Sequence, residues 1–301
     1  MTIPAHLFAP RYWLLWFILG IFFILTYLPY HWQMAMGRFL GLLAYYLARR
    51  RRKIAAINIA LCFPDDSPQQ QQALLKRHFA SLGMGLLEIF NAWWTSDNRL
   101  QSLGTIEGLD HLQQALAKGR GVILLSAHFT SLEIGARFLT LHTVIHGVYR
   151  AHENPLIEFF MKKSRELHAE KAIPRDNIRE MVRSLKANKP VWFAVDQNFG
   201  HKGSVFAEFF GIQAATNAAT ARLAQLTGAA VVPFFTQRLP NDQGYRVILQ
   251  AALTDFPSDN MQHDARRINA LIEAQTKLAP EQYLWAHRRF KDRPNDEARF
   301  Y

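Results

Sequence analysis

Gly121–Glu133 reads GVILLSAHFTSLE. Val122–Leu125 is an unbroken apolar run. A run of that kind marks a strand buried on both faces, the texture of a parallel sheet, in contrast to the alternating pattern of a half-exposed strand. A histidine follows it directly, then small hydroxylic residues, then Leu132-Glu133 opening a helical stretch. Strand, histidine and helix in that order put His128 at the carboxyl end of a strand, where α/β sheets carry their ligand sites.

Working outward, further apolar runs suit strands at Thr143–Tyr149, Pro190–Val195, Ala230–Thr236 and Tyr245–Gln250. Helical spacing predicts helices over Ser131–Leu141, from Asn154-Pro155 to His168, over Asp176–Lys186, over Ala214–Leu226 and over Met261–Leu278. Upstream, Ser67-Pro68-x-Gln70 is a helix start, with Ser as cap, Pro at the first helical position and Gln at the third. Its apolar spacing continues through Leu74, Phe79, Leu82, Leu86 and Phe90 to Trp93-Trp94. The fold expected is therefore α/β, a central mixed sheet covered by helices on both faces.

The N-terminus has a different character. Tyr12–Leu28 (YWLLWFILGIFFILTYL) contains no charged residue, and aromatic residues sit at both ends. A bilayer-spanning helix needs ~20 apolar residues, ~17 at the least, and interfacial aromatics suit its ends. The run reads as a retained transmembrane anchor; a cleaved signal peptide would want a charged leader and a small-x-small site. Arg49–Arg52 and Lys53 follow as an uninterrupted basic run, which places the remainder of the chain on the cytoplasmic side. That run is suited to anionic lipid; no nucleic-acid-binding motif accompanies it. Two segments are expected: residues 1–53 as anchor and basic juxtamembrane stretch, and 54–301 as the catalytic domain.

Composition agrees with a folded body. Of 301 residues 50% are hydrophobic and 20% charged, which excludes disorder as the main state. Cys62 is the only cysteine, so a disulfide scaffold and a thiolate zinc site are excluded. No sequence feature calls for a metal or an organic cofactor. Lys and Arg total 35 against 24 Asp and Glu, a net +11, which favours acidic partners.

Glu133 lies five positions after His128. On one continuous helix the two side chains would sit about 140° apart. In a strand-to-helix turn, His128 can instead fold back onto Glu133, and a carboxylate on one imidazole nitrogen would make the other a better base. A capping histidine beside an N-terminal helical glutamate is the plainer reading of the same residues. Ser126 and Ser131 flank the histidine, but no Gly-x-Ser-x-Gly elbow is present. Gly200-x-x-Gly203 is too sparse for a phosphate loop.

His-x-x-x-x-Glu after a buried strand, behind an N-terminal apolar helix, resembles the glycerolipid acyltransferase superfamily. The Glu form resembles the bacterial lipid A secondary acyltransferases, their lauroyl-transferring branch most closely. Further blocks carry that resemblance: Asn58-x-x-Leu61-Cys62-Phe63-Pro64, Gly83-Met84-Gly85-Leu86-Leu87-Glu88, Val148-Tyr149-Arg150 with Asn154-Pro155, Val195-Asp196-Gln197, Phe209-Phe210-Gly211 leading to Thr216, and Pro280–Trp285 with His287–Lys291. The resemblance runs from about Pro10 to the C-terminus.

It implies transfer of a fatty acyl group from acyl carrier protein to a 3-hydroxyacyl hydroxyl of a Kdo-bearing lipid A precursor, at the inner membrane. It implies His128 as general base, oriented by Glu133. Arg150 is then the candidate donor to the developing oxyanion, and Asp196 a candidate to hold Arg150 or order the site. Lys162, Lys163, Arg165, Arg288, Arg289, Lys291 and Arg293 are candidates for steering acidic partners. Phe159-Phe160, Phe209-Phe210 and Phe234-Phe235 line an acyl groove or fill the core. Two other readings stand beside this one: an acyltransferase of glycerophospholipids or other glycolipids, and an inactive lipid-binding adaptor.

Overall fold

The computed structural model describes residues 3–198, 200, 203–294 and 297–301. In chain order the elements are α1 (Trp13–Leu25), α2 (Tyr30–Leu47), α3 (Arg49–Cys62), α4 (Pro68–Trp94), α5 (Asp97–Gln101), β1 (Gly104–Glu107), α6 (Leu109–Leu116), β2 (Val122–Ser126), α7 (Leu132–Thr140), β3 (His146–Tyr149), α8 (Pro155–His168), β4 (Lys171–Pro174), α9 (Ile178–Lys186), β5 (Pro190–Ala194), β6 (Ser204–Phe209), β7 (Ile212–Asn217), α10 (Ala219–Thr227), β8 (Ala230–Arg238), β9 (Tyr245–Leu249) and α11 (Met261–Leu278).

Seven strands form one sheet in the order β1-β9-β8-β2-β5-β3-β4. Pairings are parallel except β8 with β9, so the sheet is mixed as expected. Side chains alternate across it. Ile123, Leu125, Val191, Val231 and Phe235 face one core with α9, α10 and α11; Val122, Leu124, Trp192, Val232 and Phe234 face the other with α6, α7 and α8. Phe209, Phe234 and Phe235 are completely buried and belong to these cores, which removes them from any acyl groove.

The long helix starts as its sequence dictates. The Ser67 hydroxyl accepts from Gln70 N, and the Gln70 side chain accepts from Ser67 N. Gly83 and Gly85 allow that helix two close approaches. A Cβ at Gly83 would lie 2.0 Å from the Gly37 carbonyl of α2, and one at Gly85 would lie 2.6 Å from the Thr130 carbonyl in the loop after His128.

Two sequence expectations are corrected, and two strands lie where none was expected. Among the described residues, no helix is long and apolar enough to cross a membrane. The apolar run is broken because Pro29 disfavours helix at Leu28 and cannot itself donate to the helix; α1 has 13 residues, roughly 20 Å. The carbonyls of the turn that follows it are taken up by the protein: the Gln33 amide donates to Leu28 O at 2.9 Å and Thr26 O at 3.2 Å, and the Arg99 guanidinium donates to the same two oxygens. Secondly, Ala214–Leu226 is not one helix. Ile212–Asn217 pairs with β6 across a turn in which Phe210 and Gly211 both have positive φ, and α10 begins only after the Asn217 side chain accepts from Ala219 N. The short strands β1 and β4 lie at the sheet edges, where four residues with no long apolar run sufficed.

Candidate active site

Strand register assembles the centre. β2 and β5 are parallel neighbours with Ser126 opposite Ala194. Two residues past each of these positions stand His128 and Asp196, side by side at the carboxyl edge. His128 Nδ1 is 2.6 Å from Asp196 Oδ1, and the same oxygen accepts from the His128 backbone N–H at 2.9 Å. Asp196 is buried while the His128 side chain keeps 28% of its surface exposed, so the outer nitrogen can meet a substrate. Burial would push the Asp196 carboxyl up; attraction to His128 and the two hydrogen bonds outweigh it and hold the group down at about 2. Nδ1 donating to a carboxylate leaves Nε2 as the free acceptor, the tautomer a general base needs.

The carboxylate that orients His128 in this geometry is therefore Asp196, where the sequence pointed to Glu133. Glu133 occupies the first turn of α7, but Arg165 of α8 grips it through Nε at 2.8 Å and Nη2 at 2.6 Å, with Trp93 Nε1 at 3.3 Å. Burial raises the Glu133 carboxyl, and the Arg165 charge and hydrogen bonds more than reverse this, so its pKa is lowered. Among the described residues no hydrogen bond joins Glu133 to His128. Arg165, expected as a steering cation, is a structural partner instead. So is Arg289, which is buried and donates to the Ala215 carbonyl and the Thr216 hydroxyl.

Backbone contacts clamp the His128 loop. Leu284 N donates to His128 O at 2.9 Å, and Thr130 N donates to Gln282 O at 2.7 Å. Behind it lies a buried polar network. Arg238 donates to Glu88 (Nη2–Oε2 2.7 Å) and to Ser81 Oγ at 2.8 Å, Tyr245 donates to Glu88 at 2.8 Å, and Ser81 and Thr130 share a hydrogen bond of 2.7 Å. Asn58 completes the frame by donating to the carbonyls of Trp285 and His287 at 2.7 Å each. These contacts give physical roles to the Asn58, Gly83–Glu88 and Pro280–Lys291 blocks. Near the dyad, burial pushes the His287 imidazole down to about 4, while burial and the facing Asp196 push the Tyr283 hydroxyl well up.

A groove of about 530 Å³ opens beside His128. Its walls include Leu132, Val148, Met161, Trp192, Phe193 and Leu223. Arg150, at the end of β3, also lines it; the side chain is exposed, and its ion-pair partner is the exposed Glu153 at 3.4 Å. Among the described residues no hydrogen bond or ion pair joins Asp196 to Arg150, whose partner is Glu153. Among the described residues no group of His, Cys, Asp and Glu is arranged to hold a metal ion.

The model of the family described as bacterial lipid A biosynthesis acyltransferase matches residues 2–292. The chain belongs to this family. It is 40% identical over 293 residues to a lipid A biosynthesis palmitoleoyltransferase of Escherichia coli (strain K12), covering 97% of this chain and 95% of that protein. It is 37% identical over 289 residues to a lipid A biosynthesis lauroyltransferase of the same strain, covering 96% and 94%. A myristoyltransferase of that strain is 25% identical over 300 residues, covering 97% and 91%. The protein is thus an acyltransferase of lipid A biosynthesis, and His128 with Asp196 is the candidate catalytic pair of a family member.

The sequence placed His128 at the carboxyl end of its strand, as the fold does, but did not pair it with Asp196. The only sequence signal for that partner was positional: Asp196 follows its apolar strand as closely as His128 follows its own. The role of Arg165 had no local signal, since its partner lies on a different helix.

Proposed function

We propose that the enzyme transfers a lauroyl or similar acyl group from acyl carrier protein to a 3-hydroxyacyl hydroxyl of a Kdo-bearing lipid A precursor. A secondary alcohol is a weak nucleophile at neutral pH and needs a base in the transition state. His128 Nε2 takes the hydroxyl proton as the oxygen attacks the thioester carbonyl, and Asp196 stabilises the imidazolium that forms. Arg150 stabilises the oxyanion. Collapse of the tetrahedral adduct breaks the C–S bond, and the departing thiolate takes the proton back from His128. The observation that carries this reading is the 2.6 Å His128–Asp196 contact beside an apolar groove.

The enzyme acts at the cytoplasmic face of the inner membrane, held in the interface by exposed apolar faces of its N-terminal helices. Leu14, Phe17, Ile21 and Ile24 form an exposed stripe along α1, and Phe39, Leu42, Leu43, Tyr46 and Leu47 another along α2. Such faces bury in the headgroup and acyl boundary. The basic run opens α3 next to Tyr46, and Arg49, Arg50 and Lys53 are exposed, suited to anionic headgroups.

Mass spectrometry of a lipid A precursor incubated with the protein and acyl carrier protein bearing mixed chains tests the reaction. One added acyl group, absent with His128→Ala, is the expected result and reads out chain preference. No added group from folded native protein contradicts the assignment.

A further inference from the structure

The groove beside His128 has a charge pattern that the dyad does not use. Four arginines line it, Arg150, Arg165, Arg175 and Arg222, and among the described residues no carboxylate does. Arg165 is neutralised by Glu133. Arg175 and Arg222 remain, from two different elements. Arg175 follows β4, and its backbone N–H donates to Tyr149 O at 2.7 Å, which sets it beside Arg150 at the ends of parallel strands. Arg222 projects from α10, with Nη1 3.6 Å from where a Cβ on Gly203 would be. The ion-pair partner of Arg175 is Asp176 at 3.6 Å, 86% exposed, and an exposed pair of this sort is readily exchanged for a stronger ligand. Arg222 makes no ion pair among the described residues. The same groove is lined by apolar side chains left open to solvent, Ile178 and Leu226.

Guanidinium forks and an apolar floor in one groove fit a ligand that is anionic at one point and aliphatic beyond it. The geometry points to a phosphate subsite formed by Arg175 and Arg222, which takes a phosphate carried by one of the two acyl-bearing substrates. This inference rests on the proposed reaction for the identity of those substrates. The phosphate belongs either to the phosphodiester of the donor's pantetheine arm or to a sugar phosphate of the acceptor.

Equilibrium binding to the full chain in detergent separates the two sources and does not require turnover. The probes are S-dodecyl phosphopantetheine and S-dodecyl pantetheine as donor mimics, and a disaccharide acceptor with and without its phosphates. Native protein is expected to bind the phosphorylated member of one pair about 100-fold more tightly than its dephosphorylated partner. Arg175→Gln and Arg222→Gln should each cut that ratio about tenfold, as loss of one charged hydrogen-bonding group does, and the double variant should erase it. Both residues are exposed, so the variants should melt like native protein. The pair that shows the preference identifies the source. Equal binding within both pairs by native protein overturns the subsite, as does a preference that survives in the double variant. Acyl transfer without a phosphate preference would refute this inference alone, and a phosphate preference without transfer would refute the reaction alone.

Discussion

Asp196 is committed chiefly to His128: it is buried, its Oδ1 accepts twice from His128, and its carboxyl is held at about 2, with the Tyr283 hydroxyl facing it. Asp196→Asn should keep the shape but no longer stabilise the imidazolium. Its kcat should fall by roughly 10²–10⁴-fold, the usual worth of positioned acid–base catalysis, with little change in KM. Steady-state kinetics checks the split. Glu133 should behave differently, as half of a mostly buried ion pair. Removing one partner of such a pair costs about 3–5 kcal/mol, whereas removing both costs much less than the sum. Chemical denaturation of Glu133→Gln, Arg165→Gln and the double variant should show that non-additivity. The histidine was legible because a buried strand ended on it. Its carboxylate partner was not, because spacing in the chain favoured Glu133 while sheet order brought up Asp196 from a neighbouring strand.

At the scale of elements, α4 links the N-terminal helices to the His128 loop. Its Gly85 meets the Thr130 carbonyl so closely that a methyl group must displace backbone. Gly85→Ala should cost about 1–3 kcal/mol as overpacking and reduce kcat beyond what the lost stability explains; thermal melts and turnover of the folded fraction measure both. The end of the N-terminal apolar run is set by contacts that its own residues do not encode. Length and hydropathy over Tyr12–Leu28 met the minimum for a span, but Pro29 and the donors of Gln33 and Arg99 end α1 against the body. Those donors come from elsewhere in the chain, which a hydropathy window does not see. The capped start of α4 and the extent of α11 were legible because side-chain caps and apolar periodicity are local. The hairpin of β6 and β7 was missed because Ala214-Ala215 suits a helix in isolation.

For the whole molecule, acid should act through buried imidazoles. Burial pushes His78 down to about 4, with the Glu281 carbonyl as a partial offset, and His287 is lowered to a similar value. Both are favoured neutral in the fold, so unfolding takes up protons between pH 4 and 6.5. Stability is complete above pH 6.5 and falls as pH drops toward 4, by about 3 kcal/mol for His78 at ~1.4 kcal/mol per unit. Denaturant midpoints across this window should show the fall, and His78→Asn should reduce it, leaving the part due to His287. Membrane association has its own test. Native protein should sediment with vesicles of phosphatidylethanolamine and phosphatidylglycerol and release partly as salt rises, while a Leu14, Phe17 and Ile21 to Ser triple variant should bind them more weakly and release at lower salt.

The most direct test of the site is proton NMR of protein labelled with ¹⁵N-histidine. A downfield Nδ1–H resonance from His128 is expected in native protein, kept in Glu133→Gln and lost in Asp196→Asn. A resonance that persists in Asp196→Asn and disappears in Glu133→Gln would show that Glu133 holds the histidine and would overturn the His128–Asp196 pair.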